Sequence, residues 1–103
     1  MNAPSKYKNV RTNGFASKRE AKRAFELQLL ERAGEITDLK MQVPFEVVPS
    51  TPGERPVFYV ADFVYLKGGN QVVEDVKGVR TDVYKIKRKL MAHVYGIQIQ
   101  EVA

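Results

Sequence analysis

One stretch limits the folds open to this chain more than any other: Tyr59-Val-Ala-Asp-Phe-Val-Tyr65, then Leu66-Lys-Gly-Gly-Asn-Gln71, then Val72-Val-Glu-Asp-Val-Lys-Gly78. β-Branched and aromatic residues fill both arms, and Gly68-Gly69-Asn70 supplies turn conformations. The segment therefore predicts two antiparallel strands joined by a loop at 67–70. With Leu66 opposite Gln71, the same register sets Asp62 opposite Asp75. Opposed Cβ atoms lie roughly 4.5–5.5 Å apart, and two carboxylates at that spacing repel unless a cation or a shared proton intervenes. Alternation puts Lys77 on the face of Asp75 and turns Glu74 to the other, a choice that a one-residue bulge would reverse. Residues 57–65 carry Phe58, Val60, Asp62 and Val64 on one face and Tyr59, Ala61, Phe63 and Tyr65 on the other. Both faces are mostly apolar, the mark of a central strand, where an uncompensated Asp62 would be costly.

The flanking sequence fits around this hairpin. Residues 1–15 lack apolar periodicity and read as a basic arm that orders on a partner; residues 16–103 read as a single domain, as expected of a 103-residue chain. Ser17 opens a helix, completing a capping box with Glu20. Ala21, Ala24, Phe25, Leu27, Leu29 and Leu30 form its predicted buried stripe, and Gly34 its stop. A strand is expected from Ile36 toward Pro44 and onward to Val48, then a loop at 49–56. Thr81 or Asp82 caps a second helix with apolar positions Val83, Ile86, Leu90, Met91 and Val94, ended by Gly96, and residues 97–102 alternate as a last strand. The expected fold is α/β, in the order αβββαβ, with a mixed central sheet of four to five strands flanked by two helices.

Zero cysteines exclude disulfides, thiol catalysis and thiolate zinc sites, and the single histidine, His93, leaves no material for a Ser-His-Asp triad. Any metal must be held mainly by oxygen. The net charge of +5 is unevenly spread. Lys6, Lys8, Arg11, Lys18, Arg19, Lys22 and Arg23 crowd the first 23 residues against one acid, Glu20, and Arg80, Lys85, Lys87, Arg88 and Lys89 form a second cluster. Two basic patches around an acidic centre suit a phosphate backbone. No apolar run reaches the roughly 18 residues of a membrane span, and the N-terminus lacks the apolar core of a secretory signal, so a cytoplasmic site of action is expected.

An acidic helix, an Asp on one strand and an acid-x-Lys on the next together resemble the PD-(D/E)XK nuclease superfamily, which has a restriction-endonuclease-like core. Within it the run from Ser17-Lys-Arg-Glu20 to Glu74-Asp-Val-Lys-Gly78 is similar to small phage-encoded proteins related to Holliday-junction resolvases, over roughly residues 6–97. Ala61 stands where the motif has proline, and Asp75 where it usually has glutamate. The resemblance implies a Mg²⁺- or Mn²⁺-dependent endonuclease of a phage, acting in the host cell without a nucleotide cofactor on duplex or branched DNA. Asp62, Asp75, the Val76 carbonyl and Glu20 would hold the metal, and Lys77 would orient or activate the attacking water. Gln42 corresponds to a residue that often lies near such sites; Glu26 is a weaker alternative ligand. Lys6, Lys8, Arg11, Lys18, Arg19, Lys22, Arg80, Lys85, Lys87 and Arg88 are the expected DNA contacts. A chain this small reaches one strand per site, so a homodimer is expected for double-strand cutting. The alternative is a DNA- or protein-binding module on a nuclease scaffold with no turnover.

Overall fold

The computed structural model describes residues 17–103. Along the chain come α1 (Lys18–Arg32), β1 (Thr37–Val48), β2 (Val57–Lys67), β3 (Asn70–Val76), α2 (Asp82–Tyr95) and β4 (Gln100–Val102). The strands form one sheet ordered β1-β2-β3-β4, antiparallel in its first two pairings and parallel in the last. This is the expected α/β order, with four strands. The arm expected at residues 1–15, with Lys6, Lys8 and Arg11, lies outside the described residues.

Local chemistry sets the boundaries. The Ser17 hydroxyl accepts from Glu20 N–H at 3.1 Å to start α1, and Thr81 does the same for Tyr84 N–H at the start of α2. Gly96 ends α2 in the left-handed conformation. The β2–β3 turn is tighter than the expected loop: Lys67 pairs with Asn70 across Gly68-Gly69, whose φ angles of +60° and +81° suit the twist of a two-residue hairpin. Strand β1 runs straight through Pro44, which it tolerates as an edge strand.

The sheet separates two cores. On the α2 side Tyr59, Ala61, Val64 and Val73 pack with Tyr84, Met91 and Ile99; on the α1 side Phe63 and Tyr65 pack with Ala24, Leu27 and Ile36. Tyr59 and Ala61 thus sit on the opposite side from Phe63 and Tyr65, which corrects the strict alternation expected along β2. The same switch occurs on β1, where Leu39 and Met41 pack toward α1 but Val43, Phe45 and Val47 toward α2. Its cause is local. Gln42 adopts φ +54°, which breaks the two-residue repeat between the pairs Met41↔Phe63 and Val43↔Ala61. Asp62 stands at the switch point of β2.

The helical stripes are narrower than expected. Phe25, Leu29 and Leu30 on α1, and Val83, Ile86 and Val94 on α2, are exposed. The inward faces are built instead on Glu20, Ala24 and Leu27, and on Tyr84 and Met91, with Arg23, Lys87 and Arg88 partly buried between them. Counting only apolar residues misses such faces, because charged side chains occupy inward positions. Glu74 is 1% exposed; it accepts from Arg23 Nε at 2.8 Å and Nη2 at 2.7 Å, and from the Tyr65 hydroxyl. Glu26 completes this group as a partner of Arg23 at 3.2 Å.

Candidate functional site

A cavity of about 560 Å³ opens where the first turns of both helices meet β2 and the end of β3. Its wall includes Arg19 and Glu20 from α1, Tyr59 and Asp62 from β2, Asp75 and Val76 from β3, Lys77 just beyond, and Lys87 from α2. The expected catalytic set, Glu20, Asp62, Asp75 and Lys77, therefore shares one cavity. The hairpin keeps the expected register to Phe63↔Glu74. One step further, the Asp62 Oδ2 accepts the Val76 N–H at 2.8 Å, so a side chain replaces the next rung of backbone pairing. Asp75 points into the cavity and Glu74 away from it toward Arg23, as alternation on β3 requires.

Each acid is braced. Asp75 is 3% exposed, with the Tyr59 hydroxyl donating to Oδ2 at 2.5 Å and Lys77 Nζ 3.2 Å from Oδ1. Burial, reinforced by Asp75, pushes the Tyr59 phenol well above its ordinary range, so it acts as a donor. The Lys77 ammonium also lies 4.2 Å from the Tyr84 ring centre, a cation–π contact. Gln42 Nε2 donates to Glu20 Oε2 at 2.6 Å and lies 3.5 Å from Asp62 Oδ1. The Glu20 carboxylate thus turns into the cavity, while its own N–H donates to the Ser17 hydroxyl that caps α1.

Burial is the main reason the Asp62 carboxyl is pushed up to about 6; the charges of Asp75 and Glu20 add to it, against the Val76 N–H and Lys77. The folded state therefore binds this proton more tightly than the unfolded chain, and its ionisation costs stability as pH rises from about 4 through 6. Asp62→Asn keeps an acceptor for Val76 but does not titrate. In urea titrations it should match the wild type near pH 4 and exceed it at pH 7.5 by on the order of 1 kcal/mol, after allowing for solvent screening. An unchanged difference across that range would contradict the account.

Hard oxygen donors and no sulfur or imidazole make this wall chemically suited to Mg²⁺ or Mn²⁺. Among the described residues no group of three His, Cys, Asp or Glu side chains is already drawn together as a cation site. Tyr59, Gln42 and the Val76 N–H hold the acids in their present places. Burial first, and the neighbouring Asp75 and Glu20 after it, disfavour the ionised Asp62 carboxyl.

The expected DNA contacts divide into groups. Arg19 and Lys87 line the cavity, and Arg19 packs so closely on Gly78 that a Cβ there would come within 2.8 Å of its guanidinium. Lys18, Lys22 and Lys85 are exposed. Arg80 and Arg88 converge instead on Glu101, at 2.7 and 2.8 Å, where Tyr84 also donates at 2.7 Å. The hydrogen bond from Arg80, then those from Tyr84 and Arg88, hold the Glu101 carboxyl well below the usual range. Sequence reasoning missed Tyr59 and Tyr84. Their signal was present in the tyrosine content of the chain, but a tyrosine's ring predicts burial and says nothing about which carboxylate its hydroxyl meets.

No curated protein and no solved structure matches the chain. One family model does, over residues 4–101, which is nearly the whole length and includes every residue of the cavity wall. On that match the chain belongs to the family described as protein of unknown function (DUF1064).

Proposed function

We propose that this protein is a Mg²⁺- or Mn²⁺-dependent endodeoxyribonuclease of the PD-(D/E)XK type that hydrolyses phosphodiester bonds in duplex or branched DNA. The observation that carries the reading is that carboxylates from three separate elements, Glu20, Asp62 and Asp75, share one cavity wall with the ammonium of Lys77. Asp62, Asp75, the Val76 carbonyl and Glu20 would hold the cation. Bound there, it would polarise the phosphodiester and make water easier to ionise at neutral pH.

The chain's own residues do the rest. Lys77, fixed by Asp75 and the Tyr84 ring, sets a positive charge where negative charge develops on the phosphate. Arg19 and Lys87 on the same wall would bind the DNA backbone at the cavity, and the exposed Lys18, Lys22 and Lys85 would extend that contact over the surface. Phosphate contacts of this kind position DNA without reading sequence, so weak sequence preference is expected. Two copies, acting as a homodimer, would cut both strands, and the place of action would be the cytoplasm of a phage-infected cell. Among the described residues no helix is long and apolar enough to cross a membrane.

The test is incubation of supercoiled plasmid with and without Mg²⁺ or Mn²⁺, beside Asp75→Ala and a four-way junction substrate. Metal-dependent nicking that disappears in the variant is the expected result. Plasmid that is retarded on a gel but never cut would replace the enzyme with a DNA-binding module.

A further inference from the structure

We infer that Tyr59 is a positioning residue for Asp75, fixing the carboxylate with which the proposed site holds its divalent cation; the inference rests on that reading of the cavity. Tyr59 reaches the cavity only because β2 changes sides at Asp62, which turns Tyr59 toward α2 and Asp75. It is 3% exposed, and its hydroxyl lies 2.5 Å from Asp75 Oδ2, while Lys77 Nζ lies 3.2 Å from Oδ1. The carboxylate is therefore held at both oxygens. A phenol is a neutral donor: unlike the ammonium it does not compete with a cation for charge, and each carboxylate oxygen retains a second acceptor site. Partners that orient metal-ligating carboxylates commonly carry ~10–100-fold in metal affinity.

The molecule contains its own control. Tyr65 is 6% exposed and donates to a buried carboxylate, Glu74, but on the α1 side of the sheet away from the cavity. Tyr59→Phe and Tyr65→Phe delete the same kind of buried hydrogen bond, so a purely structural role would give them the same consequences.

The experiment is calorimetric titration of both variants and the wild type with Mn²⁺, with thermal melts of each. Tyr59→Phe should bind Mn²⁺ ~10–100-fold more weakly, and Tyr65→Phe within about two-fold of wild type despite a comparable melting loss. A wild-type affinity in Tyr59→Phe, or an equal weakening in both, overturns the inference. Absence of Mn²⁺ uptake by the wild type overturns the reading of the cavity and this inference with it. A second readout needs no variant: by NMR of the wild type, the buried Tyr59 hydroxyl proton should shift on addition of Mg²⁺ while that of Tyr65 stays in place, and an unmoved Tyr59 signal counts against the proposal.

Discussion

On the proposed nuclease reading, Lys77→Met should cleave supercoiled plasmid about 10²–10³-fold more slowly than the wild type while still taking up Mn²⁺. The ammonium carries no oxygen donor, so it is not itself a ligand to the cation, although it braces one oxygen of Asp75. Its contribution is a fixed positive charge in a partly buried wall, 3.2 Å from Asp75 and over the Tyr84 ring. Such a charge is worth more there than in bulk water because the surroundings screen it poorly. Methionine preserves most of the unbranched stem and removes the charge. Lys77→Arg should recover only part of the rate, because a planar guanidinium does not occupy the place of a compact ammonium between a carboxylate and a ring face. Single-turnover nicking with calorimetry on the same samples separates the steps. A Lys77→Met protein that cuts at the wild-type rate, or that fails to bind Mn²⁺, contradicts the assigned role.

Arg23→Met should lower the unfolding free energy by about 3–5 kcal/mol, a large share of the roughly 5–15 kcal/mol typical of a whole domain. Glu74 lies 1% exposed beneath α1, and Arg23 supplies two of its hydrogen bonds and, among the described residues, its one ion pair. Removing the guanidinium strands a carboxylate in the core with the Tyr65 hydroxyl as its remaining donor among the described residues. The double variant Arg23→Met/Glu74→Gln should be more stable than the single one, because a neutral amide bonds Tyr65 without a buried charge. Urea denaturation followed by circular dichroism measures both. A single-variant loss below about 1 kcal/mol, or a double variant weaker than the single, would show that Glu74 is not held as a buried ion.

The hairpin was legible because its chemistry is local. Gly68-Gly69 dictates the turn, the turn dictates the register, and the register brings Asp62 and Asp75 to one cavity with Lys77. The helix caps at Ser17 and Thr81 were readable for the same reason. What the sequence concealed depends on non-local contacts. The change of sides at Asp62 faces a positive φ at Gln42 on the neighbouring strand, a residue twenty positions away whose type does not announce it. The inward helix faces escaped an apolar count because Glu20, Arg23, Lys87 and Arg88 occupy them. Those same misfits divide in place: Glu20 and Lys87 end at the cavity, while Arg23 stabilises an acid on the other side of the sheet.

Whether the acid wall takes a divalent cation is read directly by anomalous diffraction from crystals grown with Mn²⁺, which locates such an ion without reference to activity. A manganese peak is expected in the cavity among Asp62, Asp75 and the Val76 carbonyl, lost in Asp75→Asn. Crystals equilibrated with Mn²⁺ that show no peak there, or show one only at acids elsewhere on the surface, would contradict that expectation.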